Sequence, residues 1–320
     1  MAKHPIRFGI QAGQQNIEWE RLLRLWREAD GWGYDSLWNF DHFFPIFTDP
    51  TGPCLEGWTT LSALAPATRR ARVGHMVNGI TYRNPCVLAK MATTLDHVTG
   101  GRLNLGLGAG WFELEHRAFG IDFKTVPGRL RALDEACRIL KSMFSGEKFD
   151  FHGRHFRVEG ALGNPRPVQR PHPPLMIGGS GEKILLRIVA EHADQWNTFG
   201  GPERMAQLID VIRRHGDAIG RDTDEIEKTV MIPLCYSASP EREQAVQGMV
   251  AAVQQCTPEE ARKRAMIGGR DECLETVSRY VAAGVTHLIF MATPPLDDDL
   301  DRQFQAFAEE VAPAARAQLG

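Results

Sequence analysis

The sequence predicts an α/β protein of class (β/α)8, a TIM barrel with loop insertions, including a β-hairpin before strand five. Two observations carry this. Short β-like apolar runs alternate with segments of helical period from one end of the chain to the other, which implies a parallel sheet. Eight such units can be counted, and eight fit a closed barrel better than an open sheet. A third observation narrows the choice. The glycine-rich run "LGLGAGW" (from Leu105) follows the fourth strand candidate, whereas a dinucleotide loop belongs after the first. It also has Trp111 where the third glycine of G-x-G-x-x-G should stand.

The elements follow in order. "IRFGIQ" (from Ile6) is the first strand, and Leu22, Leu25, Trp26, Ala29 and Trp32 mark one face of the first helix. "DSLWNF" (from Asp35) is the second strand; an aromatic loop and a helix over about 58–68 come next. "ARVGHMVNG" is the third strand. "NPCVLAKMATTLDHVTGG" is a helix with Pro85 at its start and Gly100 past its end. "RLNLGLG" is the fourth strand, followed by a loop and a helix carrying Leu130, Leu133, Cys137, Leu140 and Phe144. "EKFDFHGRHFRVEG" alternates about a central glycine and reads as an inserted hairpin. "NPRPVQRPHPP" cannot join a regular ladder. The alternation resumes directly after it, so residues 147–174 are taken as an insertion in a single domain spanning 1–320. "PLMIGGS", "ADQWNTF", "EKTVMIPLCYS" and "VTHLIFMAT" are strands five to eight. Helices with breaks fill about 240–283, and a last helix carries Phe304, Phe307 and Val311.

Composition excludes several classes. The 320 residues are 43% hydrophobic and 24% charged with a net charge of −3, which gives no electrostatic footprint for nucleic acid or an anionic membrane. No apolar run reaches the roughly 18 residues needed to span a bilayer. The opening "MAKHPIRFGIQAG" turns polar before a signal-peptide core could form, and the six cysteines lack C-x-x-C or zinc spacing. These features predict a cytoplasmic protein with core thiols. The eleven histidines form no H-x-x-x-H or H-E-x-x-H pattern, so no metal site is predicted.

In such a barrel the strand C-termini carry the active site. After strand two stand Asp41 and His42, a carboxylate and an imidazole in an aromatic stretch; they suit proton exchange near neutral pH, or a structural pair in a loop. After strand three, Asn78-Gly79 is a turn dipeptide. After strand four, Gly108, Ala109 and Gly110 line the mouth or serve a tight turn, with Glu113 and Glu115 beyond them as solvated charges. After strand five, Gly178, Gly179, Ser180 and Lys183 open a helix. Converging amides there suit a phosphate, although the P-loop spacing is absent. "IGGRDE" (from Ile267) is a rival phosphate loop, or a helix start with Asp271 near its cap. Asn197 ends strand six and could hydrogen-bond a ligand.

With Asp41-His42, "NGITYRNPCVLAKMATTLDHVTGGRLNLGLGAGWFELEH" and "PLMIGGSGEK" in view, almost the whole chain resembles the bacterial luciferase-like superfamily. Within it the chain is most similar to oxidoreductases that use coenzyme F420, a deazaflavin. The resemblance implies a ring held in the barrel mouth and contacted by Asp41 and His42, with His42 as the acid–base residue. It implies a strand-three bulge at Val77, Asn78 and Gly79 that often contains a non-proline cis peptide. Gly108, Ala109 and Gly110 would lie under the ring, with Gly178, Gly179 and Ser180 at the cofactor phosphate. Phe43, Phe44 and Trp111 would exclude water, and Asn197 would complete the cofactor contacts. The chain departs from the expected pattern at strand three, where Asn78 and Ile80, not Thr and Asn, flank Gly79. A homodimer through early barrel helices is implied, as is a small organic substrate. The alternatives are an FMN-dependent monooxygenase fed by a separate reductase and a non-catalytic flavin-binding barrel. A sugar-phosphate isomerase would need a carboxylate or lysine base at a strand end, and none has good context.

Overall fold

The first barrel strand, Arg7–Gln11, pairs in parallel with both the second, Ser36–Asn39, and the eighth, His287–Met291, which closes the sheet on itself. Between them the third (Arg72–His75), fourth (Leu103–Gly108), fifth (Leu175–Gly178), sixth (Gln195–Thr198) and seventh (Glu227–Tyr236) strands run in the same direction. Each pairs with the next in chain order. The result is the closed eight-stranded parallel barrel that the alternation predicts. The computed structural model describes residues 4–293 and 296–320; the rest of the 1–320 span lies outside the described residues.

Helices wrap the barrel because each presents one apolar stripe to it. Trp19–Trp32 buries Leu22, Leu25, Trp26 and Ala29 and ends at Gly33, whose φ of 99° is the left-handed value that favours glycine. Pro85–Val98 begins with Pro85, and the Asn84 side chain accepts from the Cys86 amide. Val126–Ser145 buries Leu133, Cys137, Leu140 and Phe144, as their spacing requires, while Leu130 is only partly buried. Each fully buried leucine or phenylalanine side chain contributes about 1.5–3 kcal/mol relative to an exposed one.

The barrel interior is polar below and apolar above. Near the strand starts, Glu227 bonds Arg7 (2.8 Å) and Gln195 (2.5 Å) and lies 3.6 Å from His287 Nδ1. Ser36 joins His287 to the Trp38 indole through two 2.8 Å bonds. Higher up, Trp38, Met76, Met176, Met231 and Ile289 form an apolar layer that plugs the barrel beneath its mouth.

The third strand stops at His75; a cis peptide joins Met76 to Val77, and pairing with the fourth strand resumes at Asn78–Gly79, the strand-three bulge that the resemblance implies. The structure differs from the sequence-derived expectation in three places. A short helix, Glu113–Ala118, lies inside the loop after the fourth strand. The stretch 240–283 contains helices Pro240–Gln254, Pro258–Arg262 and Arg270–Ala282, interrupted by a strand, Met266–Gly268, that pairs with the outer half of the seventh strand. Three residues are too few for a period to show. Finally, the helix after the fifth strand starts only at Leu185.

The expected hairpin is present as Lys148–His152 paired antiparallel with Arg157–Leu162. The proline-rich connector after it is bonded to the barrel wall. Gln169 contacts Asp96 and the Leu103 carbonyl and accepts from Arg72.

Candidate active site

The strand C-termini open onto two adjoining cavities. One, of about 310 Å³, lies over strands two to six. The other, of about 520 Å³, lies over strands one, seven and eight. Ile46, Phe47, Met76, Phe199 and Met231 border both.

The smaller cavity gathers nearly all the residues singled out in the sequence. Asp41, His42, Val77, Asn78, Gly79, Gly108, Ala109, Gly110, Gly178, Gly179 and Asn197 line it. Ser180 and Lys183 do not; both are exposed, in the turn that precedes the delayed helix. The rival loop at Ile267 lines neither cavity. Its helix N-terminus is capped from within, because the Gly269 amide bonds the Glu272 carboxylate at 2.7 Å.

The glycines have a steric reason. A Cβ on Gly106 would stand 2.1 Å from the His75 carbonyl oxygen, and one on Gly108 would stand 2.7 Å from Val77 Cγ2. The strand-three bulge therefore rests on strand four only because these positions lack side chains. Gly110 has a φ of 78° and turns the chain out of the mouth. The Asn78 side chain locks the bulge, donating to the Gly106 carbonyl (2.7 Å) and accepting from the Trp58 indole (2.6 Å). Its contribution to the cavity wall is thus backbone and stem. Asn197 donates to Thr229 (2.7 Å) across the sixth and seventh strands.

Asp41 is buried. Its Oδ2 accepts from Arg83 (2.6 Å) and from the Gly79 amide (3.3 Å), while Oδ1 has no partner among the described residues. A buried carboxylate oxygen without a donor is costly. On the wall of a cavity it is an acceptor that suits an N–H of a bound ring, so the residues present fit a flavin-like group. The other side of Arg83 bonds Glu56 at 2.8 Å, and Glu56 in turn caps the helix Gly57–Leu64.

His42 Nδ1 lies 2.9 Å from Glu115 Oε2. Glu115 is fully buried and also accepts from the Phe43 amide (2.6 Å), the Phe44 amide (2.9 Å) and the Tyr82 hydroxyl. Burial pushes the Glu115 carboxyl up, but the bonds from His42, Tyr82 and the Phe44 amide outweigh it and hold the group below its usual value. An ionised carboxylate only accepts, so Nδ1 of His42 carries the hydrogen. Nε2 has no partner among the described residues and is the nitrogen available for proton exchange. Burial, reinforced by Glu115, drives the Tyr82 hydroxyl well up, so it stays a donor. Cys54 is close by, 3.6 Å from the His42 carbonyl, but burial and then the Glu115 charge push its thiol up to about 12, which rules out a thiolate nucleophile near neutral pH.

The water-excluding aromatics are partly other than expected. Trp111 meets His42 edge-on at 5.6 Å and stacks on Phe47 at 5.9 Å. Phe43 and Phe44 do not line the cavity; they pack on Phe119, and Phe43 also on Tyr82. Their backbone amides matter instead, because they hold Glu115.

Sequence reasoning missed Glu115, Tyr82 and Arg83. The sequence carries no clear signal for Glu115: of its helical neighbours, Phe112 (i−3) is only partly buried and Phe119 (i+4) is 54% exposed, so no apolar stripe marks its face. A further group with ligand atoms close enough for a metal ion, Asp134, Glu191 and His192, is assembled from two outer helices, so no linear spacing could have shown it. Arg138 already lies 3.0 Å from Asp134 and 3.5 Å from Glu191 and supplies positive charge there.

A family model described as luciferase-like monooxygenase matches residues 2–263. An F420-dependent glucose-6-phosphate dehydrogenase from Microbacterium testaceum is 26% identical over 337 aligned positions, covering 98% of each chain. An FMNH2-dependent dimethylsulfone monooxygenase from Pseudomonas putida is 31% identical over 201 positions, covering 58% of this chain and 54% of the relative. Among solved structures, an F420-dependent secondary alcohol dehydrogenase in complex with an F420-acetone adduct superposes with a TM-score of 0.86 at 19% identity, covering 98% of this chain and 99% of that one.

Proposed function

Because the chain belongs to the luciferase-like monooxygenase family, we propose that it is an oxidoreductase transferring a hydride between coenzyme F420 and a small organic substrate. The observation that carries this is the His42–Glu115 pair at the edge of a glycine-walled cavity whose wall also holds the unpartnered Asp41 Oδ1. F420 is preferred to FMN because a relative named for F420 matches end to end, whereas the FMNH2-dependent one matches over little more than half of the chain.

When bound, a deazaflavin supplies a hydride acceptor or donor at its ring. This chain's residues do the rest. Asp41 and the main chain of Val77, Asn78, Gly79 and Gly108, Ala109, Gly110 hold the ring. Gly178 and Gly179 on the cavity wall receive the phosphate end, with Ser180 in the exposed turn just beyond it, and Asn197 borders the ring site. Ile46, Phe47 and Trp111 keep water out. His42 exchanges a proton with the substrate through Nε2, and Glu115 fixes its tautomer and direction. Positioned acid–base catalysis of this kind contributes about 10²–10⁴-fold in rate. His42→Ala is expected to lower turnover by that factor while leaving F420 affinity within about threefold; unchanged turnover would remove His42 from the mechanism.

The second reading is an FMN-dependent monooxygenase that receives reduced flavin from a separate reductase; both cofactors end in a ribityl phosphate, so the glycine loops serve either. A non-catalytic flavin-binding barrel is disfavoured by the buried His42–Glu115 pair, which binding alone does not need. We further take the chain as one domain over 1–320. It is also taken as cytoplasmic, which its six unpaired cysteines suit. No helix among the described residues is long and apolar enough to cross a membrane. A homodimer through the early helices is supported by Val87 and Val98, both about half exposed on Pro85–Val98.

A further inference from the structure

The larger cavity is not needed to hold the ring, yet it shares a wall with the ring site and is big enough for a substrate of drug-fragment size. Its floor is formed at the ends of the first and eighth strands by Gln11, Met291, Ala292 and Thr293. The helix Pro240–Gln254 covers it with Met249, Val250 and Val253. No Lys, Arg, His, Asp or Glu lines it among the described residues.

Two features say what such a cavity takes. Thr293 is only 2% exposed, and its hydroxyl has no partner among the described residues, although it borders the cavity. Gln11 is 6% exposed and borders the same floor. Together they offer donors and acceptors to one neutral polar group. The Gln15 carboxamide, by contrast, is spent on the Ile46 backbone (2.6 and 3.2 Å), bracing the wall shared by the two cavities. The rest of the surface is largely methionine, aromatic and aliphatic. Met76, Met231, Met249 and Met291 give it a soft, adaptable lining. A phosphate dianion placed here would lose its hydration with no cation to replace it, a cost far beyond what neutral hydrogen bonds return.

We propose that this cavity is the substrate site and that it takes an uncharged, largely apolar alcohol or carbonyl compound, hydrogen-bonded by Gln11 and Thr293, and excludes phosphorylated sugars. The proposal rests on reading the smaller cavity as the cofactor site. Calorimetric titration of the whole protein, with and without saturating F420, tests it with cyclohexanol, cyclohexanone and glucose 6-phosphate as probes. The expected result is binding of the alcohol or the ketone and none of the sugar phosphate. Gln11→Leu and Thr293→Val should each weaken that binding roughly three- to tenfold, with F420 affinity unchanged as the check on folding. Binding of glucose 6-phosphate, failure of both neutral probes, or neutral-probe binding indifferent to both variants would overturn it. If F420 fails to bind but the neutral probes still bind and respond to the variants, the cofactor assignment falls and the pocket assignment stands.

Discussion

His42 and Glu115 are 73 residues apart in the chain and 2.9 Å apart in the fold. The pair shows what a sequence can and cannot disclose about a single residue. His42 stands out in the sequence because its imidazole falls at a strand end amid aromatics, although a structural pair with Asp41 is equally readable there; the fold pairs it with Glu115 instead. Glu115 reads in the sequence as a solvated charge because charge usually is solvated. Its burial depends on four donors, His42, Tyr82 and the amides of Phe43 and Phe44, that only the folded loop brings to it. We expect Glu115→Gln to lower kcat about tenfold with little change in KM, since it orients His42 without touching substrate. Steady-state kinetics with a fixed F420 concentration checks this; a change confined to KM would make Glu115 a binding residue instead. The low-lying Glu115 carboxyl also stabilises the loop in a pH-dependent way. That contribution is present above the usual carboxylate range and fades as acid protonates the group.

At the scale of elements, strands and helices were legible because their periods are long and clean, and all eight barrel strands lie where the alternation placed them. The misses are short or sterically determined. A three-residue strand and a six-residue helix leave no period to read. The bulge between Met76 and Gly79 is implied only by the resemblance; the residue pattern does not show it, because it depends on space above the fourth strand. The glycines in "LGLGAGW" were legible as unusual, but their reason was not. Gly106 and Gly108 make room for the bulge, and Gly110 turns the chain. Gly106→Ala is therefore expected to cost about 2–3 kcal/mol, because its Cβ would meet backbone, which cannot swing aside. Gly31→Ala, on the exposed side of Trp19–Trp32 with nothing within 4 Å of the added Cβ, should instead stabilise by about 0.5–1 kcal/mol. Urea denaturation of the two variants separates these signs. Equal destabilisation would mean that the added methyl, not the contact, decides.

Across the whole molecule, the barrel has a polar ionic floor and an apolar plug beneath its mouth, and the two ends have different work. Burial alone would raise the Glu227 carboxyl. His287, Arg7 and Gln195 overcome that and hold it at about 2, against an ordinary value of 4.5. Since the folded value is the lower one, the stabilisation is complete above about pH 4.5 and is lost as pH falls toward 2. Glu227→Gln should cost about 3 kcal/mol at neutral pH and flatten the acid limb of a Tm-against-pH curve, without altering F420 affinity, because the floor is remote from the mouth. Light scattering of the wild type and of Val98→Asp tests the homodimer: the expected result is a dimer that the added charge weakens, and a monomeric wild type would contradict it. Direct titration of the purified protein with F420 and with FMN, followed by fluorescence, reports on what the mouth holds. Saturable F420 binding is expected, retained in His42→Ala and weakened in Asp41→Ala. Binding of FMN alone would contradict it.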